Sequence, residues 1–134
     1  MRDYALILLT LDTGIRPGEA LALLPHDVNF SALEMRIRAE IAKTRISRTL
    51  PIHPITANTI KELLSARPKE WQSNAPVFCS NEGKKMNITS WGDRLEMYSK
   101  EIGVHIRPYD LRHVFALVST QWWRSVFPAA DIGP

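Results

Sequence analysis

Thr13-Gly14-Ile15-Arg16-Pro17-Gly18-Glu19-Ala20-Leu21-Ala22-Leu23 is the stretch on which the reading of this chain turns. An almost wholly apolar run, Ala5-Leu6-Ile7-Leu8-Leu9 with Leu11, leads into it and predicts a helix over residues 2–13, buried on several faces. Gly14 stands where such a helix stops. Pro17 suits the first turn of a new helix carrying Ala20, Leu21 and Leu23, ended before Pro25. Arg16 therefore lies at a junction between two helices, where a side chain is held in place.

Downstream, Met35-Arg36-Ile37-Arg38-Ala39-Glu40-Ile41 alternates apolar and polar residues, the period of a strand with one buried face. Thr49-Leu50-Pro51-Ile52 closes a second extended segment, and Pro51 puts it at an edge or a strand end. Between them runs the basic stretch Ala42-Lys43-Thr44-Arg45-Ile46-Ser47-Arg48, read as the cationic turn of a small antiparallel sheet. Residues 55–66 read as an amphipathic helix closed by Pro68, and Pro76 to Ser80 as a short apolar segment. Thr89 or Ser90 is the expected cap of a helix with Trp91, Leu95, Tyr98 and Ile102 on one stripe, ended by Gly103. Pro108 opens a last helix with Leu111, Val114, Phe115 and Val118 on its stripe and Arg112 off it. Residues 121–134, with the adjacent Trp122 and Trp123, hold no sustained period.

Composition bounds the possibilities. The 134 residues suffice for one domain, with 45% apolar and 23% charged residues, which excludes wholesale disorder. Seventeen Lys+Arg against fourteen Asp+Glu give +3, a mild excess that permits a polyanionic partner without requiring one. The single cysteine, Cys79, excludes a disulfide framework and a cysteine metal site. No segment is long and apolar enough for a membrane span, so a reduced, cytoplasmic α+β domain is expected, mainly helical with a small antiparallel sheet.

Arg16, Lys43, Arg112 and His113 occupy positions that argue for order. Two guanidinium forks suit a phosphodiester, since each donates paired hydrogen bonds to its oxygens and stabilises extra charge in a pentacoordinate transition state. Isolated basic residues are usually solvated, however, and composition and period alone leave a mixed basic domain.

Three strings narrow this. Residues 13–23 resemble the first arginine box of the tyrosine recombinases, the phage integrase family. Lys43-Thr44 with Ser47-Arg48-Thr49-Leu50-Pro51-Ile52 resembles that family's β-hairpin lysine segment. Arg107-Pro108-Tyr109-Asp110-Leu111-Arg112-His113-Val114-Phe115-Ala116 resembles its second arginine box. The resemblance implies the recombinase catalytic-domain fold and DNA cleavage and rejoining through a covalent 3′-phosphotyrosine, with double-stranded DNA as partner and no metal or cofactor. It implies that Arg16 and Arg112 clamp the scissile phosphate and that Lys43 protonates the leaving 5′ oxygen. Glu19 would orient the arginines, although it reads equally as a first-turn carboxylate favoured by the helix dipole. His113 would support the site or simply pack. Tyr109 stands where the family most often has histidine. A phenol can donate a hydrogen bond to phosphate but is a poor general base.

The resemblance covers residues 2 to about 118, giving a partial catalytic domain over 1–120 and a divergent tail over 121–134. Counted from Arg112, the family's third ligand and its nucleophilic tyrosine would both fall past Pro134. None of Tyr4, Tyr98 and Tyr109 stands in the nucleophile's place. The chain is therefore expected to grip DNA and to be inactive alone, with assembly into oligomers on DNA belonging to the full-length protein. The other readings are a non-catalytic DNA-binding module of the same fold, and an unrelated interaction domain in which Arg16, Lys43 and Arg112 lie far apart.

Overall fold

The computed structural model describes residues 2–71 and 74–115. Helix α1 (Arg2–Thr13) buries Ala5, Leu6 and Leu9 and packs against α3 (Pro54–Ala66). It is less enclosed than its composition suggests, because Tyr4 and Leu11 remain exposed. The hydroxyls of Thr10 and Thr13 donate back to the Leu6 and Leu9 carbonyls, and Gly14 terminates the helix with a left-handed φ of 68°. A side chain here would meet more than backbone strain. A Cβ on Gly14 would clash with the ring of Phe115.

After α2 (Pro17–Leu21) and a single 3-10 turn (Pro25–Asp27), the chain enters a three-stranded antiparallel sheet. Its strands are β1 (Val28–Asn29), β2 (Glu34–Ile37) and β3 (Arg48–Pro51), in that spatial order. Met35 pairs with Leu50 and Ile37 with Arg48. The alternation read from sequence is present, with Met35 and Ile37 buried while Glu34 and Arg36 are exposed. The strand stops at Ile37, short of the expected Ile41. Arg38 is the reason: its Nε donates to both Asp27 carboxylate oxygens at 3.0 Å, and its carbonyl accepts the Ile41 and Ala42 N–H groups in a turn. Pro51 ends β3 on the sheet edge, where a missing N–H costs no ladder bond.

Helix α4 (Ile88–Ile102) starts one residue before the expected Thr89 cap. Asn87 is the cap, because its side-chain oxygen reaches the Ser90 N–H at 2.8 Å. Gly103, at φ 74°, closes the helix through its N–H to the Ser99 carbonyl. Trp91 and Leu95 are buried as expected, Tyr98 is half-buried, and Ile102 is exposed because the chain turns away from the core after it. Residues 108–115 form the last helix, begun where the Asp110 carboxylate accepts the Arg107 N–H at 2.8 Å. Leu111 is buried, but Val114 is exposed at 42%, so the inward stripe runs through Leu111, Arg112 and Phe115 instead. Val118 and the stretch 121–134 lie outside the described residues.

The core is formed by Leu6, Leu9, Ile15, Leu21, Leu23, Met35, Ile37, Ile60, Phe78, Trp91, Leu95 and Leu111, drawn from α1 to α4, the last helix and the sheet. Burying each large apolar side chain stabilises the fold by about 1.5–3 kcal/mol. This core fixes the α1–α2 junction, the sheet and the last helix relative to one another. Among the described residues no helix is long and apolar enough to cross a membrane, and no acidic, histidine or cysteine cluster could hold a metal.

Candidate functional site

The left-handed turn at Gly14 sends Ile15 into the core and leaves Arg16, with extended φ and ψ of −68° and 142°, as the residue that opens α2. The helix dipole and the free N–H groups of this turn favour a carboxylate. Glu19 supplies it: its Oε1 accepts the Arg16 N–H at 3.2 Å. The dipole alone does not account for Glu19, whose side chain is only 2% exposed. A carboxylate so buried requires several donors.

The β2–β3 hairpin provides them. Arg48 Nη1 donates to Oε2 at 2.9 Å and Nη2 to Oε1 at 2.7 Å, a two-pronged pair. The Lys43 N–H donates to Oε2 at 3.2 Å. The Arg16 guanidinium stands 3.7 Å from the same oxygen. Burial pushes the Glu19 pKa up, but the Arg48 fork, the Lys43 N–H, the Arg48 charge and the Arg16 N–H together take it below its ordinary 4.5. Arg48 shifts reciprocally upward, chiefly through its bonds to Glu19.

Arg112 joins from the last helix, its Nε donating to the Gly14 carbonyl at 2.8 Å. Among the described residues, the terminal nitrogens of Arg112 make no hydrogen bond, and those of Arg16 make none shorter than the contact to Glu19. Lys43 is exposed on the hairpin loop. Arg16, Lys43 and Arg48 are thus gathered about the Glu19 carboxylate, and Arg112 is anchored two residues from Arg16. Tyr109 and His113 lie on the same last helix as Arg112, both exposed. Among the described residues no hydrogen bond connects either to the Glu19 group, so His113 is not a packed core residue here.

Arg48 was not singled out from the sequence, although a signal was present. Arg48 and Leu50 share the partly buried face of β3. An arginine on the inward side of a strand needs an internal carboxylate, and Glu19 is the acid at the facing helix start.

A second polar group ties α1 to α4. The buried Asp3 carboxylate accepts the Tyr98 hydroxyl, Arg94 Nε at 2.9 Å and Arg2 Nε at 3.0 Å. It borders a cavity of about 710 Å³ lined also by Leu63, Trp71 and Val77, which none of Arg16, Glu19, Lys43 and Arg112 lines.

Residues 1–129 match the phage integrase family. The chain belongs to that family. That match sets aside the reading as an unrelated interaction domain. The tyrosine recombinase XerC of Rickettsia canadensis is 32% identical over 119 residues, covering 87% of this chain and 37% of that protein. XerC of Rickettsia prowazekii is 29% identical over 119 residues, with the same shares of each. The chain thus spans a little over a third of the length of the curated relatives it matches. Among solved structures, a XerA recombinase superposes with a TM-score of 0.77 at 21% identity, covering 90% of this chain and 42% of that one. A XerH site-specific recombinase bound to its difH substrate in a pre-cleavage complex gives 0.74 at 24% identity, covering 90% and 36%. These likenesses establish the fold expected for the family: helices around a small antiparallel sheet.

Proposed function

We propose that this chain is the phosphate-gripping portion of a site-specific tyrosine recombinase and that its partner is double-stranded DNA. Arg16 and Arg112 clamp the scissile phosphodiester with their terminal nitrogens and offset the charge that builds on it as a fifth oxygen approaches. Lys43, on the exposed loop, delivers a proton to the leaving 5′ oxygen as the phosphorus–oxygen bond breaks. The attacking phenolate becomes the 3′-phosphotyrosine and the released strand ends in a 5′ hydroxyl. Glu19 positions Arg16 and the Lys43 loop. Tyr109 donates a hydrogen bond to phosphate, and His113 supports the same helix face.

One observation carries the reading: a single buried carboxylate gathers Arg16 and Lys43 from segments far apart in sequence, while Arg112 is pinned to the carbonyl two residues before Arg16. A guanidinium pinned through Nε has both terminal nitrogens available for an anion.

The nucleophile is none of Tyr4, Tyr98 and Tyr109. Tyr98 is held by Asp3, and that hydrogen bond and its burial raise its pKa, the wrong direction for an attacking phenolate. Tyr109 is fixed one turn from Arg112, too close to swing against the phosphate that Arg112 grips.

The test is binding to duplex DNA at low salt. Arg16→Ala and Arg112→Ala should each weaken binding about tenfold or more, since a hydrogen bond to a charged group contributes about 1.5–3 kcal/mol. Unchanged affinity in both would refute the clamp. A nicked suicide duplex should yield no covalent adduct with this chain, and an adduct would overturn the assignment of the tyrosines.

A further inference from the structure

We propose that Arg48 is a positioning residue for this site, acting through Glu19 without touching DNA. The proposal rests on the phosphate-gripping reading above. Each Glu19 oxygen takes one guanidinium hydrogen and one main-chain hydrogen. Oε1 accepts Arg48 Nη2 at 2.7 Å and the Arg16 N–H at 3.2 Å, and Oε2 accepts Arg48 Nη1 at 2.9 Å and the Lys43 N–H at 3.2 Å. The two shorter bonds come from Arg48. A planar fork facing a planar carboxylate fixes the carboxylate's rotation about its last bond, which a single point charge does not. The orientation set by Arg48 is therefore the one in which both main-chain bonds form.

Those main-chain bonds hold the two segments that the phosphate reading needs. Arg16 opens α2 on the helical side. Lys43 begins a loop whose Arg45 sits at a left-handed φ of 61°, a conformation costly for a residue with a side chain. Short turns within the loop, such as Arg45 N–H to Ala42 carbonyl at 3.0 Å, fold it upon itself. The Lys43–Glu19 bond ties it across to the helices. With the fork lost, the carboxylate is free to rotate, the Lys43 tether weakens, and the lysine is no longer delivered to a fixed place beside Arg16. Both Arg48 terminal nitrogens are already committed to a buried anion, which argues against a phosphate contact of its own.

The experiment compares the wild type with Arg48→Met, Glu19→Gln, the double variant and Arg16→Ala. Duplex affinity is measured across a salt series, and amide hydrogen exchange is followed by NMR. In Arg48→Met, exchange at the Lys43 and Arg16 amides should quicken about tenfold while amides inside α1 and α3 keep their protection. Affinity should fall about five- to tenfold with the salt slope unchanged, because no phosphate contact is lost. In the Glu19→Gln background the same substitution should add less than about twofold, the mark of a residue working through its partner. Arg48→Lys, which keeps the charge and loses the fork, should lie between wild type and Arg48→Met, and it carries the test if the methionine variant does not fold.

Unchanged exchange at Lys43 overturns the proposal. So does a salt slope shallower by about 1, which assigns Arg48 to a phosphate, and so does an equal loss in both backgrounds. If Arg16→Ala weakens binding and Arg48→Met does not, the positioning role alone has failed. If Arg16→Ala leaves binding unchanged, the phosphate reading has failed and takes this proposal with it.

Discussion

At the scale of single residues, Gly14 and Glu19 explain most of the local geometry. Gly14 serves three neighbours at once: its left-handed φ ends α1, its carbonyl holds Arg112, and its bare Cα lets the Phe115 ring approach. Gly14→Ala should therefore destabilise the fold by about 2–4 kcal/mol, combining left-handed strain with a steric clash. Urea denaturation measures it, and a loss below about 0.5 kcal/mol would show that the Phe115 contact does not persist. Glu19→Ala should cost about 2 kcal/mol or more, since it leaves the partly exposed Arg48 guanidinium and two main-chain N–H groups without their acceptor. Arg16, Lys43 and Arg112 were legible in the sequence because each sits in a recognisable string. The environment of Glu19 was not, since a carboxylate in the first turn of a helix is ordinary until a strand from elsewhere lays an arginine against it.

At the scale of elements, helices and sheet were largely readable, and the differences have identifiable causes. The period-two pattern of residues 35–41 runs on past the point where Arg38 turns toward Asp27, because alternation does not register a competing ion pair. The α4 start was displaced because Asn87, Thr89 and Ser90 are all capping types, and only geometry shows which one reaches an N–H. Asn87→Ala should lower stability by about 1 kcal/mol, read by thermal or urea unfolding. The last helix turned Arg112 inward, where an apolar stripe would place Val114, because a carbonyl and a glycine surface await it.

The two buried carboxylates stitch elements together, Glu19 joining α2 to the hairpin and Asp3 joining α1 to α4. For both, burial acts upward on the pKa and the surrounding donors outweigh it, so both titrate below their ordinary values of 4.5 and 3.8. A depressed carboxylate stabilises the fold fully above its unfolded pKa and ceases to do so as pH falls through the folded one. Stability should hence be flat from neutral pH down to about 5 and fall below about 4. In Arg48→Met, burial of Glu19 is no longer offset by the guanidinium, so its folded-state pKa moves up toward the unfolded value and the acid-side loss of stability should be smaller than in the wild type. Denaturant midpoints across pH measure this, and superimposable profiles would contradict it.

At the scale of the whole molecule, a net charge of +3 says little about function. The distribution of charge says more. Arg16 and Arg48 from the α1–α2 junction and the hairpin meet the Glu19 carboxylate, the Lys43 main chain joins them there, and Arg112 is held from the last helix at the Gly14 carbonyl, two residues before Arg16. Spatial convergence of segments that distant is what the sequence alone could only imply through resemblance. Whether Arg16 and Arg112 grip a DNA phosphate is read from the dependence of duplex affinity on salt, wild type against Arg16→Ala/Arg112→Ala. The double variant should bind more weakly at low salt, with a log–log slope shallower by about 1 to 2, the loss of one or two phosphate contacts. Equal slopes and equal affinities would contradict that grip.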